Sequence, residues 1–71
     1  MAVVLYIGGS KDGKKGVVPY GFSKTRMDTD DGPEIYVERV MDVSGKGRMR
    51  VMVLETLRDD IAFQRLNRHL G

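Results

Sequence analysis

Seventy-one residues with a formal net charge of +2, 41% apolar and 31% charged side chains, no cysteine and one histidine describe a folded chain with room for a single core. The absence of cysteine excludes disulfides and thiolate metal sites, and a lone histidine leaves a zinc site only carboxylates to draw on. A domain this small buries only roughly 60% of its unfolded surface, so its stability rests on tight packing or on help from a second copy or a partner.

Ala2-Val3-Val4-Leu5-Tyr6-Ile7 is β-branched and aromatic, and Gly8-Gly9 bounds it, which predicts a buried strand. The run is too short to cross a bilayer and has no basic leader with a cleavage site, so the protein is expected in the cytoplasm, away from membranes. Gly8 to Gly13 combines a glycine pair with an Asp-Gly step and predicts a turn into a short strand near Gly16-Val17-Val18, which Pro19 ends. Residues 20–33 are dense in turn formers and predict a long, mobile loop, with at least two of Tyr20, Phe22 and Met27 folded back onto the core. From Glu34 to Val43 the period is two: Ile35, Val37, Met41 and Val43 share one face, interrupted by Arg39, and Tyr36, Glu38, Val40 and Asp42 share the other. Ser44-Gly45-Lys46-Gly47 reads as a hairpin turn into a strand from Arg48 to Glu55, with Met49, Val51 and Val53 opposite Arg50, Met52 and Leu54. After Thr56 the period becomes helical: Ala62, Phe63, Leu66 and Leu70 form a core-facing stripe, and Ile61 falls on the outer face near Arg65 and Arg68. Asp59 and Asp60 suit the helix N-terminus, and Arg68 and His69 the C-terminus.

Charge is segregated along the chain. Lys11, Lys14, Lys15, Lys24 and Arg26 face only Asp12 over residues 11–26, and Asp28, Asp30, Asp31, Glu34 and Glu38 follow with no base among them. Arg39, Lys46, Arg48 and Arg50 then restore a basic balance. Such blocks either pair with each other across strands or form complementary patches for a partner.

None of the candidate catalytic or ligand motifs has the surroundings its chemistry needs. Gly8-Gly9-Ser10-Lys11-Asp12-Gly13-Lys14-Lys15-Gly16 suggests a phosphate loop, but Gly16-Val17-Val18-Pro19 cannot open the helix whose N-terminus would cradle the phosphate. Asp28-Thr29-Asp30-Asp31-Gly32 suggests a calcium loop, yet Glu38 falls one position short of the closing ligand. His69 has no serine or second histidine near it in the chain, although Ser10, Ser23 and Ser44 are free to approach in space. No catalytic, cofactor-binding or metal-binding residue is therefore assigned. Lys46, Arg48 and Arg50 form a basic hairpin able to meet phosphates, but Tyr36 is the only aromatic beside them to stack on a base.

Tyr6-Ile7-Gly8-Gly9-Ser10-Lys11-Asp12-Gly13, Tyr36-Val37-Glu38-Arg39, and Val53-Leu54-Glu55-Thr56 followed by Asp59-Asp60-Ile61-Ala62 and Leu66 together resemble a family of short phage and prophage reading frames. Those frames begin YIGGPxDG, continue with a YxxR strand and close on a VLEG…DDEA…L helix entry. The chain departs from them at Ser10, where proline is usual, and at Thr56, where glycine is usual. The family carries no assigned activity, so the resemblance implies a phage origin and transfers no site residues.

The sequence as a whole predicts a single α+β domain over residues 1–71: an antiparallel meander of three or four strands with the C-terminal helix packed on one face. The function it predicts is non-enzymatic: a phage-type protein that binds and inhibits or redirects a host protein of transcription or antiviral defence. Asp28, Asp30 and Asp31 in the loop and Lys46, Arg48 and Arg50 on the hairpin are the predicted partner-binding residues. A nucleic-acid-binding accessory protein using the basic hairpin, and a structural phage component, are the alternatives.

Overall fold

The computed structural model describes residues 2–21, 23–43 and 45–70, so the predictions that fall on Phe22 and Ser44 lie outside the described residues. Among the described residues five strands precede one helix: β1 (Ala2–Ile7), β2 (Lys15–Val18), β3 (Lys24–Thr29), β4 (Gly32–Val43), β5 (Gly47–Leu54) and α1 (Asp59–Leu70), with a short 3-10 turn at Gly9–Lys11 after β1. The strands form one sheet in the order β2-β1-β5-β4-β3. β1 runs parallel to β5, Leu5 opposite Val51 and Ile7 opposite Val53, while every other neighbour is antiparallel.

The α+β class and the helix on one face agree with the sequence, but the antiparallel meander of three or four strands does not. A fifth strand lies within the predicted long loop. In β3, Thr25, Met27 and Thr29 are half-buried and alternate with the exposed Lys24, Arg26 and Asp28. With one apolar residue in six, its period is carried by threonine methyls and escapes a hydrophobicity pattern, and charges of this kind are what an edge strand tolerates. The sheet is mixed because β1 inserts beside β5, a pairing between the two ends of the chain that no local signal encodes.

Both faces of the central strands are apolar. On one face Leu5, Ile7, Val43, Val51 and Val53 are buried beneath Ala62 and Leu66 of α1, with Met41, Met49, Leu57 and Leu70 around them. On the other, Val4, Tyr6, Val18, Tyr36 and Met52 form a second cluster that Met27 and Leu54 join. Val18 belongs to one sheet edge and Met27 to the other, so the sheet curls around this second cluster. Each large aliphatic side chain fully removed from water contributes about 1.5–3 kcal/mol, and both clusters are needed to balance chain entropy in so short a protein. The rings of Tyr6 and Tyr36 meet edge to face, 5.1 Å apart at 82°. Gly16 is the counterpart of that packing: a Cβ there would stand 2.7 Å from Cε2 of Tyr6.

The helix is tied at both ends. Asp59 lies 3.8 Å from Arg39, which explains the charge that interrupts the apolar face of β4, and His69 lies 3.2 Å from Asp12 beyond β1. The core stripe is narrower than its sequence suggests. Ala62 and Leu66 are buried and Leu70 half-buried, but Phe63 keeps 40% of its surface exposed, while Ile61, expected on the outer face, is half-buried. Tyr20 is exposed, so of the three large residues expected to return to the core, Met27 does and Tyr20 does not. No helix among the described residues is long and apolar enough to cross a membrane.

Candidate functional site

Asp28, Asp30 and Asp31 do not lie in a mobile loop. Asp28 is part of β3, and Asp30 and Asp31 are the two residues of the tight turn that joins Thr29 to Gly32. The Thr29 hydroxyl donates to the Gly32 carbonyl at 2.6 Å and accepts the Asp31 N–H at 3.3 Å. Gly32 closes the turn at φ +116°, a region side chains rarely enter. The three carboxylates are exposed at the tip of a hairpin, where the Arg26 Nε–H donates to Asp28 at 3.2 Å. Glu34 and Glu38, the rest of the acidic block, are in β4 and bind elsewhere.

Lys46, Arg48 and Arg50 are at the opposite end of β4. Lys46 is exposed in the β4–β5 turn, and Arg48 and Arg50 share the face of β5 turned away from the helix. Each arginine has a carboxylate across the ladder: Arg48 lies 3.6 Å from Asp42, and Arg50 lies 3.3 Å from Glu38. Pairing within the chain thus engages two of the three basic residues that the sequence places on this hairpin. The β4 strand of 12 residues separates the acidic turn from the basic one, in a molecule whose long dimension is 37 Å.

The glycine-rich segment after β1 is a clamp instead of a phosphate cradle. Gly8, Gly9 and Gly13 have φ of +86°, +69° and +83°, which lets the chain turn sharply back along β1. The Tyr36 hydroxyl donates to the Gly8 carbonyl at 2.8 Å and accepts the Lys11 N–H at 3.3 Å. Ser10 gives its hydroxyl to Glu34 at 2.5 Å and its N–H to the same carboxylate at 3.0 Å. Asp12 accepts the Gly8 N–H at 2.7 Å and meets His69 at 3.2 Å. Ser10, one of the three candidate nucleophiles, and His69 are thus each engaged with a different carboxylate. Lys11 holds its ammonium 5.1 Å from the centre of the Tyr6 ring, a cation–π contact.

Two ionisations in this clamp are displaced. Burial pushes the Asp12 carboxyl up, but the Gly8 N–H, His69 and the Arg65 charge outweigh it and hold Asp12 below the usual value. Burial raises the Tyr36 phenol, opposed by the Lys11 N–H and reinforced by the Glu34 charge.

One surface feature went unseen in the sequence. A groove of about 280 Å³ is lined by Arg39, Val40, Met41 and Asp42 of β4 and by Asp59 and Phe63 of α1. Four consecutive strand residues alternate between the two faces of a sheet, so a hollow touching all of them opens at the strand's edge. Among the described residues no strand pairs with that edge, because β3 pairs with β4 from Gly32 to Val37. The signal is the unequal length of the two strands, which the loop-like composition of β3 conceals. A smaller hollow of about 180 Å³ lies at the other end of β4, between Pro33, Glu34 and Ile35 and the Leu54–Thr56 segment.

No protein-family model matches the chain, and no curated protein or solved structure is significantly similar to it. The resemblance to short phage reading frames rests on its motifs alone.

Proposed function

We propose that the chain is a small, non-enzymatic, phage-type binding protein that docks on a host protein and inhibits or redirects it, in transcription or antiviral defence. The observation that carries this reading is the acidic hairpin tip. Asp30 and Asp31 sit on a turn whose backbone is fixed by Thr29 and Gly32, where they add a directed negative charge at one extremity of the molecule. A rigid, charged projection of this kind speeds encounter with a basic patch, because its field acts before contact and no loop has to be ordered on binding. The nucleic-acid alternative draws less support, since Arg48 and Arg50 already face Asp42 and Glu38.

The test is affinity capture from host lysate with and without nuclease, followed by association rates for the captured partner. Neutralising the tip together, by Asp28→Asn, Asp30→Asn and Asp31→Asn, should leave stability within ~0.5 kcal/mol, since exposed charges contribute little to folding. It should slow association, and the deficit should shrink as salt screens the field over roughly 8–10 Å. A nuclease-resistant partner that shows this salt dependence supports the reading. Loss of every partner on nuclease treatment, with tighter nucleic-acid binding by the neutralised tip, supports the alternative.

A further inference from the structure

The open stretch of β4 has a polarity that its ladder bonds define. Glu38 gives its N–H to the Ser23 carbonyl at 2.8 Å on the β3 side, whereas the carbonyls of Ile35 and Val43 accept from Glu55 and Lys46 on the β5 side. Backbone groups alternate along a strand, so the N–H and C=O of Val40 and Asp42 point out of the sheet beyond the end of β3. Among the described residues neither has a backbone partner on that side, and Val40 is 52% exposed. Two unpaired donors and two unpaired acceptors at strand spacing, beside a groove in which Val40, Met41 and Phe63 alternate with charged residues, match one kind of occupant: another extended strand.

We propose that the occupant is a second copy of this chain, its β4 running antiparallel to the first about a two-fold axis at Met41. The register follows from elimination. A two-fold antiparallel pairing that opposes outward-facing residues must be centred on residue 40, 41 or 42. Centring on Val40 sets Glu38 against Asp42, like charges in direct opposition, and Glu38 has already given its N–H to Ser23. Centring on Asp42 sets that aspartate against itself. Centring on Met41 sets Val40 against Asp42 on both sides of the axis, so all four outward donors and acceptors pair. The ladder then ends at Arg39 and Val43, before it reaches the position that Ser23 occupies. On the helix face the two Met41 side chains meet, flanked by the exposed Phe63 of each copy, and each Asp42 keeps Arg48 as its partner on the other face. A ladder of five residues per chain falls below the roughly 1,200 Å² of stable specific interfaces, so the dimer forms and dissociates with concentration.

The chain contains no cysteine, which makes one introduced thiol an unambiguous reporter. Met41 opposite Met41 is a non-hydrogen-bonded pair, whose Cα separation of about 4.5 Å lies within the range a disulfide spans. Met41→Cys should therefore oxidise to a covalent dimer under mild oxidation, while the exposed but off-axis Arg48→Cys stays monomeric under the same conditions. Sedimentation of the unmodified chain should show an average mass that rises with concentration. Val40→Pro, which deletes an N–H used only between copies, should hold the mass at the monomer value. Equal cross-linking of the two cysteine variants, or a reduced Met41→Cys and a chain monomeric at every concentration, overturns the proposal. The thiol assay decides alone if Val40→Pro does not fold. A foreign extended peptide that takes this edge while the chain alone stays monomeric overturns it as well.

Discussion

Replacing Tyr36 by phenylalanine removes one oxygen atom and tests how the curled sheet is locked. The ring is fully buried in the second apolar cluster and should keep its edge-to-face contact with Tyr6, so packing is nearly conserved. What is lost is the donor to the Gly8 carbonyl at 2.8 Å and the acceptor of the Lys11 N–H at 3.3 Å. A buried polar group left without its partner costs about 1–3 kcal/mol. Gly8 is buried, whereas the longer Lys11 contact is near solvent and replaceable by water. A net loss of about 1–2 kcal/mol follows, which in a domain of this size lowers Tm by roughly 5–15 °C. The phenol's ionisation gives an independent check. Its folded pKa lies above the unfolded value of about 10, so its contribution is fully present below that pH and is lost as pH rises through the folded pKa. The stability gap between the parent and Tyr36→Phe, measured by thermal melts followed by circular dichroism, should therefore be constant near neutrality and narrow above about pH 10. An unchanged Tm at neutral pH, or a gap that does not narrow in alkali, would refute the idea that this hydroxyl fastens the glycine turn to the sheet.

Leu66→Ala should leave a cavity beneath α1 and cost on the order of 2–4 kcal/mol, read from denaturant unfolding; near-parental stability would mean that the helix contributes little to the core. Gly16→Ala places a methyl against the Tyr6 ring, which Tyr36 blocks from moving, and should cost about 1–3 kcal/mol in the same assay; a neutral or stabilising result would show that the ring can yield. Asp12 has a folded pKa below its unfolded value of 3.8, so its contribution is present above that pH and is lost as pH falls through the folded value. Asp12→Asn should accordingly be less stable than the parent at pH 6 and approach it under acid, and parallel stability curves down to strong acid would refute the Asp12 linkage.

Where a segment has one wet face and one dry face, the sequence reveals it. The alternation through Tyr36–Val43 and Met49–Leu54 placed the β4–β5 hairpin and its side-chain directions correctly, because Glu38, Asp42 and Arg50 mark the second face outside the doubly buried stretch around Tyr36 and Met52. The period change after Thr56 likewise located α1. Phe63 was misplaced because a helical wheel fixes relative angles but not the width of the surface beneath, and here that surface ends at the rim of β4. β3 was hidden by its composition, and with it the tight Asp30–Asp31 turn, since two aspartates followed by glycine suit a loop and a hairpin tip equally. The candidate residues were legible as charges but not as partners. That Arg50 would meet Glu38 and Arg48 would meet Asp42 depends on the hairpin's register, which the turn sets. The open edge at Val40 and Asp42 depends on where β3 stops, a fact about two strands that neither segment carries.

The parallel ladder of β1 on β5 has a consequence for how the protein comes into being on the ribosome. Leu5 waits for Val51, so β1 is synthesised well before the strand it must join, and closing so wide a loop slows that step. Until then its dense apolar run, Val4 through Ile7, has only the short β2 to lean on and presents one side to water. The β3–β4–β5 portion folds by nearest-neighbour turns and can assemble first, leaving a vacant slot beside β5. The N-terminal strand is thus a tether that docks into a finished template, and any factor that intercepts it during translation would hold the chain open.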